Sequence, residues 1–191
     1  PWPAARVLWL AKLGRVADGF LTDEADRRTR ATPVATEARG ELRLDALDFT
    51  LTASADRIDR DANGALYISD YKTGQIPSKK QREVFDKQLA LEAVMAEAGA
   101  FADIGRARVA EAAYIGLGAK PTFDRIEIGP ELVASTNDDL MELIRAYHER
   151  AQGYTARRLP EKVSYAGDYD HLSRFGEWDL ATPATPQEVG E

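Results

Sequence analysis

The stretch 49–72 constrains the fold more than any other part of the chain. Its two halves read as strands, 49–60 and 65–72, separated by the turn signal Asp61-Ala62-Asn63-Gly64. Asn-Gly favours the positive φ values of a tight hairpin. The first strand carries Phe49, Leu51, Ala53 and Ala55 on one face. In the return strand Leu66, Ile68, Asp70 and Lys72 share a face, because side chains alternate with period two. A turn centred on Asn63 sets Asp56 opposite Asp70. A slip of one residue would separate them, so the register carries the argument. Like charges opposed across a hairpin destabilise it. Two half-buried carboxylates side by side share a proton or bind a cation. One lysine, Lys72, offsets only one of the two charges. Asp56 and Asp70 are therefore candidate ligands for a hard divalent cation, with the Lys72 ammonium beside it.

Elements on either side supply a frame. Residues 4 to about 30 predict a helix, with Val7, Leu10, Leu13, Ala17, Phe20 and Leu21 at helical spacing. Its charged second half, 23–30, is expected to leave the core, and Thr32-Pro33 ends the pattern. A weak strand follows over 34–44. After the hairpin and a loop over 73–78, the spacing predicts one helix over 79–98. Its stripe is Val84, Gln88, Leu91 and Met95, flanked by Phe85 and Leu89, and Gly99 stops it. Gln88 stands where that pattern expects an apolar residue, and a buried amide needs partners. Strands are expected over 109–117 and 125–128. A last helix is expected to be capped by Asn137, with a stripe of Leu140, Leu143, Ile144 and Tyr147. This order predicts an α/β (α+β) fold, a mixed central sheet flanked by helices. Residues 1–180 read as a single domain and 181–191 as a disordered tail rich in Pro, Thr and acidic residues.

Composition narrows the chemistry. The chain of 191 residues has no Cys, which excludes disulfides, thiolate metal sites and a Cys nucleophile. Its two His, His148 and His171, lie far apart, which argues against a His-rich zinc site. No apolar run is long enough for a membrane-spanning helix. The chain begins Pro1-Trp2-Pro3, with no initiator Met and no signal pattern, and reads as a fragment of a longer cytoplasmic protein. The net charge of −7 argues against broad affinity for nucleic acid but leaves room for a local basic track. Lys72, Lys79, Lys80, Arg82 and Lys87 form one between residues 71 and 88, against Glu83 and Asp86.

Two carboxylates holding Mg²⁺ with an ammonium close by suit phosphodiester hydrolysis. Asp-x-Lys also arises by chance as a surface ion pair, and spacing alone leaves both readings open.

The pair Ala55-Asp56-Arg57-Ile58-Asp59 and Ser69-Asp70-Tyr71-Lys72-Thr73-Gly74, followed by Gln88, resembles the PD-(D/E)XK nuclease superfamily in its RecB-like and Cas4-like branch. The likeness runs on through Gln88-Leu89-Ala90-Leu91-Glu92-Ala93 to Gly167-Asp168-Tyr169-Asp170-His171-Leu172, and is nearest to the C-terminal nuclease domains of AddB-type helicase-nuclease subunits. The resemblance implies a restriction-endonuclease-like fold and a Mg²⁺-dependent DNA exonuclease of double-strand break repair, with Mn²⁺ as a substitute. It implies DNA and an AddA-like helicase subunit as partners, and no membrane. Carried over, Asp56 and Asp70 become metal ligands with the Tyr71 backbone carbonyl, Lys72 the catalytic lysine, and Gln88 a residue at the site. Arg57, Lys79, Lys80 and Arg82 are expected at the DNA, and Glu37 or Glu41 could take an additional acidic position. Three departures stand out. The residue four positions after Gln88 is Glu92 where relatives often have Tyr. No His precedes the first strand. The cysteines that hold an iron-sulfur cluster in many relatives are absent, so no cluster is expected, and Tyr165, Tyr169, Phe175 and Trp178 are expected to pack the tail instead. A nuclease-fold module that binds DNA or a partner without cutting is the alternative.

Overall fold

The computed structural model describes residues 3–118 and 122–153, and single positions at 171, 177, 181 and 185. The expected packing residues Tyr165, Tyr169, Phe175 and Trp178, and most of the stretch 181–191, lie outside the described residues. Two compact units are distinguished, Pro1–Ile144 and Arg145–Glu191. The description below concerns the first, which contains every candidate site residue.

The elements run α1 (Pro3–Arg30), β1 (Ala31–Leu44), a 3-10 turn (Asp45–Leu47), β2 (Phe49–Asp61), β3 (Leu66–Lys72), α2 (Lys79–Val84), α3 (Gln88–Ala98), β4 (Val109–Gly116), β5 (Thr122–Glu127) and α4 (Pro130–His148). The five strands form one sheet in sequence order. All neighbours are antiparallel except β3 and β4, which are parallel. This is the expected mixed sheet flanked by helices. A parallel pair requires a crossover, and the loop, α2 and α3 between β3 and β4 provide it.

The core lies between the sheet and α3. Ile58, Leu66, Ile68, Ala112 and Tyr114 from the strands meet Leu89, Ala93, Met95 and Ala96 from the helix. Burying these side chains is the main driving force for closing α3 onto the sheet. The β2–β3 register is the one expected. Arg57 pairs with Ser69 and Ile58 with Ile68, which carries Asp56 to the position opposite Asp70.

Several local expectations are corrected. The hairpin turn is wider than Asn-Gly suggests. The Asp61 side chain accepts from the Asn63 and Ala65 amides, and the residue with positive φ is Gly64, at 87°. Asp61 therefore organises the turn, as short polar side chains do. The single helix over 79–98 is two helices, because Phe85-Asp86-Lys87 leaves helical geometry. Asp86 there receives the Tyr114 hydroxyl at 2.5 Å. Val84 and Phe85, expected to be buried, are exposed. The last helix starts at Pro130, a residue suited to a first turn because its missing N–H needs no partner there. Asn137 lies inside that helix, and Leu143 and Tyr147 are exposed.

The largest correction concerns α1. Val7, Leu10, Leu13 and Leu21 are exposed, whereas the charged second half is fixed to the sheet. The cause is Arg57. Its side chain is buried on the face of β2 away from α3. There it donates to Asp59 at 2.7 Å, to Glu24 of α1 at 2.7 Å and to the Tyr71 hydroxyl at 3.3 Å. Burial would raise the Glu24 pKa, but hydrogen bonds from Arg57 and Arg28 outweigh it and hold the carboxyl near 2. Arg27, also buried, stacks its guanidinium 5.4 Å from the ring centres of both Phe20 and Phe123. A buried cation must be paired, so the charged end of α1 docks.

This cluster makes the first prediction. Arg57→Ala leaves Glu24 and Asp59 buried without their shared partner, and the expected loss is about 3–5 kcal/mol of stability, read from urea unfolding midpoints against the parent.

Candidate active site

On the α3-facing side of β3, full burial ends between Asp70 and Lys72. Leu66, Ile68 and Asp70 point toward α3 and are 0–3% exposed, and Lys72, one step further, is half-buried at the rim. Alternation along one strand thus converts an apolar row into a carboxylate and then an ammonium.

Lys72 Nζ lies 2.9 Å from Asp70 Oδ2 and donates to Asp70 Oδ1 at 3.1 Å and to Gln88 Oε1 at 3.1 Å. Gln88 Nε2 donates to Asp70 Oδ1 at 2.7 Å and to Glu92 Oε1 at 3.1 Å. Asp70, Lys72 and Gln88 therefore close a triangle, and Glu92 abuts its helix side. The Lys72 ammonium also stands 5.7 Å from the centre of the Tyr114 ring. On the neighbouring strand Asp56 Oδ2 accepts the Tyr71 amide at 2.8 Å. That bond fixes the Asp56 carboxylate, midway along β2, beside the end of β3 and leaves its other oxygen outside the contact.

Two buried oxygens here receive no directed hydrogen bond, Asp70 Oδ2 and Glu92 Oε2. The proximity of Lys72 to Asp70 Oδ2 is an ion pair without hydrogen-bond geometry. Lys72 thus balances charge at Asp70 Oδ2 but leaves Glu92 Oε2 without a partner, and a further cation would find acceptors here. Among the described residues no group of three or more His, Cys, Asp or Glu side chains is arranged to hold a metal. A small hard cation such as Mg²⁺ does not need one. It binds through one or two carboxylates and keeps several waters. Asp56 and Asp70 fit that mode.

The other expected residues divide. Gln88 is at the site, in the first turn of α3. Arg57, expected at the DNA, is instead 6% exposed on the opposite face and paired with Glu24 and Asp59. Arg82 is ion-paired with Asp124 of β5. Lys79 and Lys80 are exposed in the first turn of α2. Glu41 is exposed and pairs with Thr52, away from Asp56. Glu37 is exposed too. It lies between the pairs Thr36–Arg57 and Ala38–Ala55, in register with Asp56, and has a φ of 50°. A non-glycine residue in the left-handed region is strained, and such strain gathers at functional sites.

Glu92 and Tyr114 are the site residues that sequence reading missed. Glu92, read as a departure from a pattern, is 2% exposed. Burial raises its pKa to about 7. The Gln88 hydrogen bond opposes the rise, and the charges of Asp70 and Asp56 add to it. Tyr114 is raised as well, by burial and by its bond to Asp86, and stays neutral. The signal for Glu92 was available: it falls one helical turn after Gln88, on the same face.

A family model of the PD-(D/E)XK nuclease superfamily matches residues 2–168. The chain belongs to that superfamily. It is also similar to uncharacterized proteins of Rickettsia conorii and Rickettsia felis, 36% identical over 90 residues in each case, and of Rickettsia bellii, 33% identical over 90 residues. Those matches cover 46% of this chain and 10–11% of each relative, so the chain spans about a tenth of the length of the curated relatives it matches. The segment Asp70-Tyr71-Lys72 closes β3, and Asp56 lies opposite Asp70 within β2. No helix among the described residues is long and apolar enough to cross a membrane.

The raised pKa of Glu92 predicts a pH dependence. In the folded protein the group binds its proton more tightly than in the unfolded chain, where its pKa is 4.5. Its contribution is therefore full below pH 4.5, declines as pH rises, and is gone above about 7. In the metal-free protein Glu92→Gln should remove a loss of about 3 kcal/mol across that window. Urea midpoints measured from pH 4.5 to 8 check this. Glu24, whose folded pKa is depressed, acts only below pH 4.5 and does not confound it.

Proposed function

We propose that the chain is a divalent-cation-dependent nuclease domain that hydrolyses DNA phosphodiesters. The observation that carries this reading is the buried Asp70 Oδ2. It lacks a directed hydrogen bond, lies 2.9 Å from the Lys72 ammonium, and shares a face and register with Asp56. Asp56 and Asp70 would hold Mg²⁺, or Mn²⁺ in its place, with the backbone carbonyl of Tyr71, the residue after Asp70, as a third ligand. The bound cation would supply charge to polarise the scissile phosphate and to acidify an attacking water.

The chain's own residues do the remaining work. Lys72 offers an ammonium within reach of the phosphate bound at the carboxylates. It can orient the water through a hydrogen bond and stabilise charge that grows on the phosphate in the transition state. Gln88 and Asp70 hold that ammonium in a fixed place, which limits the reorganisation needed during reaction. Tyr114 limits water on the core side of Lys72. Lys79 and Lys80, exposed on the helix that follows the site loop, suit contact with the DNA backbone.

The wider role is double-strand break repair. It rests on the resemblance of 55–59, 69–74 and 88–93 to AddB-type nuclease domains, which act beside an AddA-like helicase subunit. The small share of its relatives' length that this chain spans is consistent with a nuclease module in a larger machine.

Cleavage of linear or single-stranded DNA should require Mg²⁺ or Mn²⁺ and stop with a chelator. Lys72→Ala should lower kcat by roughly 100-fold or more while calorimetry still detects Mn²⁺ binding. Asp70→Ala should lose both. DNA left intact by the parent protein with either ion would overturn the proposal.

A further inference from the structure

Gln88 has a nearly symmetric amide, and its usefulness to Lys72 depends on which end faces the ammonium. Three partners surround it. Asp70 Oδ1 and Glu92 Oε1 accept from Nε2, and Lys72 Nζ donates to Oε1. Turning the amide over would set its oxygen against two carboxylates and its NH₂ against an ammonium. The two acceptors are not equivalent. Asp70 is also the residue that faces Lys72 and would hold the cation, so its oxygens have other claims on them. Glu92 Oε1 has Gln88 as its hydrogen-bond partner, one turn along the same helix.

Stability does not account for a carboxyl at this position. Glu92 is 2% exposed, among Leu89, Ala93, Met95 and Ala96 on the buried face of α3, and its Oε2 has no hydrogen bond. An apolar side chain there would avoid the burial of an unsatisfied polar atom. What the carboxyl adds is an acceptor aimed at Gln88.

We propose that Glu92 is a positioning residue: it fixes the Gln88 amide with its oxygen toward Lys72, and through it fixes the Lys72 ammonium at the site. The catalytic consequence rests on the nuclease reading above; the structural part does not.

The test compares Glu92→Leu, which fills the volume without an acceptor, with Glu92→Gln, which keeps an acceptor oxygen without the charge. Two readouts are needed. In the metal-free protein, the side-chain NH₂ resonances of Gln88, assigned by their loss in Gln88→Leu, should be well dispersed in the parent and in Glu92→Gln. In Glu92→Leu they should move toward free-amide positions or broaden. With Mg²⁺ and DNA, Glu92→Leu should lower kcat roughly tenfold with KM little changed, and Glu92→Gln should recover most of that loss. Glu92→Ile serves as a second acceptor-free variant if the leucine variant does not fold. Unchanged Gln88 resonances in a folded acceptor-free variant would overturn the proposal. So would equal kcat losses in Glu92→Gln and Glu92→Leu, which would assign the effect to charge instead of the amide. If the parent protein does not cut DNA, the nuclease reading fails, and the resonances still decide whether Glu92 holds Gln88.

Discussion

Tyr71 is the residue on which both halves of the structure depend. Its amide binds Asp56 on the side that faces α3, and its hydroxyl binds Arg57 on the side that faces α1. Strand alternation makes this unavoidable: Asp70 and Lys72 must project from one face if Ser69 and Tyr71 project from the other. The end of β3 is therefore charged on both sides. One side holds Asp70, Lys72, Gln88 and Glu92; the other holds Arg57, Asp59 and Glu24. Each cluster is mostly buried, and each keeps its hydrogen bonds and ion pairs only if the strands keep their register. A one-residue slip between β2 and β3 would exchange the faces and leave both clusters unpaired. Two polar clusters back to back thus specify one alignment of the hairpin more sharply than the apolar row beside them.

The two clusters differ in how complete they are. On the α1 side the charges are matched: Arg57 meets two carboxylates and Glu24 is held near a pKa of 2, although Arg57 Nη2 has no hydrogen bond. On the α3 side carboxylates outnumber cations. Asp56, Asp70 and Glu92 meet a single ammonium, Glu92 is raised to about 7, and two oxygens lack directed partners. A cluster whose charges balance is structural. A cluster with surplus negative charge and unsatisfied acceptors is one that a divalent cation and its phosphate ligand can complete.

Sequence was most informative where period-two logic applied. The opposition of Asp56 and Asp70 followed from a turn centred on Asn63, and the register agrees, although Asp61 and Gly64 shape the turn itself. Gln88 was legible because an amide on an apolar stripe calls for partners, and it has three. Helical reasoning did less well. The stripe through Val84 and Phe85 assumed one continuous helix, but the Tyr114 hydroxyl captures Asp86 and the helix breaks there. The charged end of α1 looked solvated because nothing local shows that Arg57, far along the chain, would be buried and in need of Glu24. Long-range ion pairs of this kind leave no periodic trace.

Glu92 shows the limit of reading by departure from a pattern. As a missing Tyr it weakened the case for a working site. In place it is the second acceptor on Gln88, buried among apolar neighbours at an energetic disadvantage that packing does not repay. The break before α3 matters here as well. Because the helix restarts at Gln88, both Gln88 and Glu92 belong to its opening turns, and the face they share is directed at the end of β3 by Leu89 and Ala93 in the core. The position of the ammonium is therefore set by helix packing as much as by its own strand, so mutations that shift α3 should act on the site without touching it.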